Sequence, residues 1–132
     1  MQKLINKLLE GNRLSLITGA YSILVTILFL MPGSDIPGVE IPFIDKWVHI
    51  GLFLALSLLW TLLLDRKDLA YTKAMVLLFL LLLFYGMVIE LIQHTLLPTR
   101  TADPWDVLAN TIGILLGIWM GRRLGQTKGL KV

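Results

Sequence analysis

Four long apolar stretches, separated by short polar segments, dominate the chain. They cover residues 14–31, 47–64, 74–97 and 105–120. An α-helix rises about 1.5 Å per residue, so about 20 residues cross the roughly 30 Å hydrocarbon core of a bilayer. The pattern therefore predicts four transmembrane helices. The second and fourth stretches are short for a perpendicular crossing, which indicates a locally thinned bilayer or a wet end of the bundle.

Helix-breaking and capping residues set the expected bounds. Pro32-Gly33 ends the first helix, and Asp103-Pro104 combines a capping residue with proline at the first helical position. Asp45 is placed to cap the second helix. The first stretch is longer than the roughly 7–15 residues of a signal-peptide core, so we expect it to be retained. The prediction is an all-α, polytopic membrane protein, one domain over 1–132 with helices at 13–31, 46–64, 72–97 and 104–121.

Composition agrees with a lipid environment. Hydrophobic residues make up 56% of the 132 residues and charged residues 16%, whereas soluble domains carry about 25% charged residues. The net charge of +3 does not indicate nucleic-acid binding, because the basic residues lie in short segments between the apolar stretches. The chain has no cysteine, which excludes disulfides, thiolate nucleophiles and thiolate metal ligands.

The distribution of positive charge predicts the topology. Of the 12 lysines and arginines, only Lys46 and Arg100 fall on one side of the predicted bundle. Because basic residues concentrate on the cytoplasmic side, both termini should be cytoplasmic. The segments 32–46 and 98–106 should then face the extracytoplasmic side.

Polar residues interrupt the apolar pattern at three places near that outer face. They fall at the start of the second helix, the end of the third and the start of the fourth. From the helix rise, His49 should lie about 6 Å, Asn110 about 9 Å and Glu90 about 10 Å below the outer end. Ionised groups at such depth are costly unless paired. We therefore expect a shared polar pocket that opens outward.

The residue types in this pocket suit acid–base chemistry on an anionic substrate. Glu90 or His49 is the candidate general base, and Asp106 is the candidate that orients the histidine. Lys46 and Arg100 are the candidates that hold a phosphate or carboxylate. The remaining candidates for substrate binding are Asn110, Gln93, Asp45 and Asp103.

Each candidate also has a structural interpretation that the sequence leaves open. Asp45 and Asp103 could be helix caps only, and Lys46 and Arg100 could be lipid headgroup anchors. His49 and Asn110 could form ordinary interhelical hydrogen bonds. His94 is expected at the membrane interface.

A stripe of small residues predicts close helix packing. Gly113, Gly117 and Gly121 recur every four residues, so another helix backbone can approach that face. The partner could be the first helix or a second copy of the chain, which would make a homodimer.

Three motifs resemble the VanZ-like family of membrane proteins. They are Asp45-Lys46-x-x-His49, then Tyr85-Gly86-x-x-Ile89-Glu90-x-x-Gln93, then Arg100-x-x-Asp103-x-x-Asp106-Val107-x-x-Asn110-Thr111-x-Gly113-x-x-x-Gly117. The resemblance implies a small multi-pass protein of the bacterial cytoplasmic membrane. The family is named after an accessory factor in glycopeptide resistance that raises tolerance to teicoplanin. The resemblance does not imply a settled reaction.

Two functions follow as expectations. The first is an enzyme that acts at the outer leaflet on a lipid-linked or phosphate-bearing envelope precursor. The second is a binding protein that recognises a lipid headgroup, glycopeptide or wall precursor without turnover. Membrane lipids are expected partners, nucleic acid is not, and no cofactor is expected. A divalent cation held by Glu90, Asp103 and Asp106, with His49, is left open.

Overall fold

The computed structural model describes residues 1–10, 12–31, 43–65, 71–97 and 103–127. These residues form five helices and no strand. The helices are α1 (Gln2–Leu9), α2 (Arg13–Leu30), α3 (Ile44–Asp65), α4 (Tyr71–Leu96) and α5 (Pro104–Thr127). Among them α2, α3 and the Thr72–Leu96 part of α4 are long and apolar enough to cross a membrane. The predicted all-α membrane bundle of four long helices is confirmed.

Two features of the helices differ from the sequence expectation. Helix α1 was not predicted, because its eight residues are far too short to form a long apolar stretch. Helix α5 continues to Thr127, beyond the expected end at residue 121. Arginine is a good helix former, and the guanidinium of Arg123 lies 5.8 Å from the ring centre of Trp119. These two side chains support the extra turns.

Helix α5 is less apolar than the other three long helices. Its polar residues are accommodated because they face the interior of the bundle. Asp106 and Asn110 are buried in the bundle, so they do not face lipid. Polar groups in a membrane helix are tolerated when they face the bundle interior.

Helices α3 and α5 approach each other through the glycine stripe. A Cβ atom built on Gly113 would lie 2.5 Å from the carbonyl oxygen of Ile50. One on Gly117 would overlap the carbonyl oxygen of Leu54 and the hydroxyl of Ser57. The stripe therefore packs against α3 of the same chain. The homodimer predicted through these glycines stays a prediction, and it would require α3 to leave this contact.

The core lies between α2, α3 and α4, and Ile114 of α5 packs into it. Phe53 is fully buried, and its ring centre lies 5.8 Å from that of Phe29 and 5.9 Å from that of Tyr85. Hydrogen bonds between side chains add to this packing: the hydroxyls of Thr26 and Tyr85 are 2.7 Å apart. Such bonds between helices each contribute about 0.6 kcal/mol in membrane bundles.

Gly117→Ala should destabilise the bundle by about 1–3 kcal/mol, because the added methyl group meets backbone that cannot rotate away. Gly51→Ala is the matched control, since a Cβ atom there would have nothing within 4 Å. Alanine in a helix interior is favoured over glycine by about 0.5–1 kcal/mol, so the control should be neutral or slightly stabilised. Reversible unfolding in detergent, followed by circular dichroism, measures both. Equal effects of the two substitutions would contradict the close α3–α5 contact.

Candidate functional site

Lys46 joins the start of α3 to the start of α5. Its Nζ atom lies 2.5 Å from Asp45 Oδ2, 2.6 Å from Asp103 Oδ2 and 2.9 Å from Asp106 Oδ1. An ammonium group has three N–H donors, so each donor has a carboxylate within reach. An anion at Lys46 would therefore have to displace one of the three carboxylates.

The two aspartates considered as helix caps behave differently. Asp103 caps α5, because its Oδ1 atom accepts a hydrogen bond of 3.0 Å from the backbone N–H of Trp105. Its hydrogen bond to Lys46, with that from Trp105, lowers the pKa of Asp103 below its usual value. Asp45 instead lies inside the first turn of α3, and its carboxylate contacts Lys46.

His49 lies one turn deeper and is buried, with 3% of its surface exposed. Its Nδ1 atom is 2.8 Å from Asn110 Oδ1 on α5. An amide oxygen only accepts hydrogen bonds, so Nδ1 is the donor in this contact. The imidazole also packs on the ring of Phe29, with ring centres 4.6 Å apart. Asn110 and Phe29 together hold the orientation of the ring.

Two buried carboxylates face the imidazole from different helices. Glu90 Oε1 on α4 lies 3.8 Å from Nδ1, and Asp106 Oδ2 on α5 lies 4.0 Å from Nε2. Both distances are too long for direct hydrogen bonds. The role of orienting His49, expected of Asp106, is therefore carried by Asn110. We call His49, Glu90, Asp106 and Asn110 the polar cluster.

The other expected site residues lie around this cluster or outside the described residues. The side-chain NH₂ of Gln93 donates a 2.6 Å hydrogen bond to the carbonyl oxygen of Phe29, which ties α4 to α2. His94 is exposed on α4, as an interfacial residue would be. Arg100 lies outside the described residues, so its role as an anion ligand stays a prediction.

Sequence reasoning missed one residue that shapes the cluster. Phe29 covers the imidazole, but a phenylalanine in an apolar helix carries no signal that separates it from a lipid-facing one. Gly86, which belongs to the second of the three motifs, lies beside Asn110: a Cβ atom there would be 2.9 Å from Asn110 Nδ2.

An apolar groove lies beside the polar residues, between α3 and α5. Its volume is about 440 Å³. Most of its lining is apolar, and Lys46 and Asp103 supply its polar part. The lining residues are Phe43, Lys46, Ile50, Asp103, Trp105, Leu108, Ala109 and Ile112.

A protein-family model matches most of the chain. The model described as VanZ/LLP1 matches residues 7–125. The chain belongs to the VanZ/LLP1 family. No match was found among the curated proteins or among the solved structures. Membership of this family confirms the resemblance that the three motifs indicated. The family is consistent with a membrane protein linked to glycopeptide resistance.

The site of this VanZ/LLP1 protein contains two groups of side chains that could hold a cation. One nitrogen of His49 and one oxygen from each of Glu90 and Asp106 lie within 4.8 Å of one another, close enough to share a metal ion. A second group of potential ligands, Asp45, Asp103 and Asp106, surrounds the ammonium of Lys46. The ammonium of Lys46 already supplies the positive charge among these three carboxylates.

The lowered pKa of Asp103 predicts a contribution to stability that acid removes. The contribution is present above the ordinary pKa of 3.8 and is lost as the pH falls through the lower pKa of the folded protein. Between about pH 5 and pH 3, the wild-type unfolding midpoint should therefore fall more steeply than that of Asp103→Asn.

Lys46→Met is the matched background for this measurement, because it removes the main cause of the pKa shift. In that background, Asp103→Asn should change the pH dependence far less. A pH dependence that is the same in wild type and Asp103→Asn would contradict the ion pair.

Proposed function

We propose that this protein acts at the polar cluster on a lipid-linked, phosphate-bearing precursor of the bacterial cell envelope, and that this action contributes to tolerance of teicoplanin-type glycopeptides. The observation that carries the proposal is the convergence of buried polar groups from α3, α4 and α5 around the imidazole of His49. Burying such groups in a membrane protein is costly and is typical of functional sites.

The chemistry of the cluster supports a reaction that uses water. It combines an imidazole nitrogen with two carboxylates, which are the groups that activate water as proton acceptors or as metal ligands. The hydrogen bond from Nδ1 to Asn110 directs Nε2 towards Asp106. Water or an exchangeable proton between these groups could then be polarised from both sides.

The apolar groove supports a lipid-linked substrate. It provides about 440 Å³ beside Lys46 and Asp103, so a hydrocarbon chain in the groove would bring its headgroup to the polar residues. A phosphate would have to displace a carboxylate from Lys46. Asp45 is the partner that leaves most easily, because 55% of its side chain is exposed.

The alternative is a protein that binds a headgroup or glycopeptide without turnover. The layered arrangement of the site favours this alternative in one respect. Lys46, Asp45 and Asp103 are partly exposed, whereas His49 and Glu90 are buried beneath them. A headgroup could therefore contact the upper residues without reaching the imidazole.

Glu90→Gln and His49→Ala test the proposed reaction. Both variants should abolish the contribution to glycopeptide tolerance while they retain binding of the anionic lipid, because neither removes Lys46 or the groove. Growth at graded teicoplanin concentrations and binding to liposomes of defined lipid content are the two measurements. His94→Ala is the control, since this second histidine is exposed and should behave as wild type.

The outcomes separate the two functions. Loss of tolerance with retained lipid binding supports a reaction at the cluster. Loss of both supports recognition without turnover. Wild-type behaviour of both variants, at wild-type membrane levels, would refute a functional role for the polar cluster.

We also propose that the protein crosses the bacterial cytoplasmic membrane several times, with the site on the extracytoplasmic side. The support is the concentration of lysine and arginine at the opposite ends of the helices. Because the chain lacks cysteine, a cysteine introduced by Ser34→Cys should react with a membrane-impermeant thiol reagent in intact cells. Asp68→Cys should react only after lysis. The reverse labelling pattern would overturn this orientation.

A further inference from the structure

The polar layer contains more negative than positive charge among the described residues. Three carboxylates, those of Asp45, Asp103 and Asp106, lie around the ammonium of Lys46. Lys46 contacts the three aspartates, so its charge is shared among them. An excess of negative charge at membrane depth is costly unless a proton or a cation compensates it.

The deepest part of this layer has the composition of a metal site. His49, Glu90 and Asp106 each offer a ligand atom, and these atoms lie within 4.8 Å of one another. All three residues are buried, with at most 9% of their surface exposed. They come from three different helices, so an ion bound there would join α3, α4 and α5.

The orientation of His49 leaves one ring nitrogen available to a cation. Its Nδ1–H donates to Asn110 Oδ1, so Nε2 is the nitrogen without this contact. That nitrogen faces Asp106 Oδ2 at 4.0 Å. A cation between these two atoms would have a ligand on each side. Histidines that bind metals also commonly donate their other N–H to an oxygen acceptor.

The ligand types narrow the identity of the ion. Mg²⁺ and Ca²⁺ prefer sites built from oxygen atoms, whereas imidazole together with carboxylates suits Zn²⁺ or Mn²⁺. We propose that one ring nitrogen of His49 and the carboxylates of Glu90 and Asp106 bind one Zn²⁺ or Mn²⁺ ion per chain. Three protein ligands leave a coordination position for water or substrate, as in catalytic zinc sites.

Asp106 links this site to the neighbouring ion pairs. Its Oδ1 atom lies 2.9 Å from the ammonium of Lys46, while its Oδ2 atom faces His49. The carboxylate of Asp106 therefore lies between the ammonium of Lys46 and the proposed metal position. Lys46 fills the position among Asp45, Asp103 and Asp106, so we assign the metal only to the deeper one.

The metal site deepens, and rests on, the function proposed above. A divalent cation would offset the excess of carboxylates. It would also lower the pKa of a bound water molecule and so supply a nucleophile near neutral pH. In that arrangement His49, Glu90 and Asp106 act as ligands, and Asn110 acts as a positioning residue.

Metal binding can be measured without knowing the substrate. The full-length protein, purified in detergent and treated with chelator, is titrated with Mn²⁺ and followed by electron paramagnetic resonance. We expect one Mn²⁺ per chain, displaced by one equivalent of Zn²⁺. Glu90→Gln and His49→Gln should weaken binding by more than about 10-fold, and Asn110→Ala by about 10–100-fold. Asp45→Asn, which changes a carboxylate of the Lys46 group, should bind like wild type.

A measurement on the wild-type protein keeps the test valid if a variant fails to fold. Bound Mn²⁺ should show electron spin-echo modulation from one imidazole nitrogen, and this signal should persist in His94→Ala. Absence of Mn²⁺ and Zn²⁺ binding, absence of the nitrogen signal, or loss of binding in Asp45→Asn alone would each overturn the proposal. Metal binding combined with unchanged glycopeptide tolerance in Glu90→Gln would instead refute the proposed function and leave the metal site standing.

Discussion

The close contact between α3 and α5 is the constraint on which the rest of the structure depends. Glycines recur every four residues along α5, and each would clash with α3 if it carried a side chain. Because two backbones can approach this closely only at small residues, the stripe sets both the rotation and the register of the two helices. One turn above Gly113, the same register brings Asn110 to His49, and a further turn brings Asp106 to Lys46. The geometry of the site thus follows from a close contact between two helix backbones.

The polar residues are arranged so that partners lie on neighbouring helices. Lipid offers no hydrogen bonds, and a buried polar group without a partner is costly there. Lys46 meets carboxylates from both α3 and α5, and Gln93 bonds to the backbone of α2. These contacts hold the helices together at this end of the bundle. They also leave the imidazole and two carboxylates close to one another beneath the exposed ion pairs.

The charge distribution bears on what the site can bind. A pocket for anionic precursors was expected from Lys46 and Arg100, but Lys46 is surrounded by aspartates in the structure. A phosphate at Lys46 would have to displace one of these carboxylates. Arg100, the other cation expected at the site, lies outside the described residues. The apolar groove, which shares Lys46 and Asp103 with the ion pairs, fits the expectation that the substrate carries a lipid.

The sequence by itself determined the class of protein, the long helices and the layer in which the polar residues lie. Those properties depend on the order and spacing of apolar residues, which act locally along each helix. It could not determine that Asn110, rather than Asp106, would bond to His49, or that the glycine stripe would face α3. It also gave no sign that Phe29 would cover the imidazole. Each of these depends on how one helix is rotated and shifted against another. Only the tertiary structure decided them, because packing between residues far apart in the chain sets those rotations and shifts.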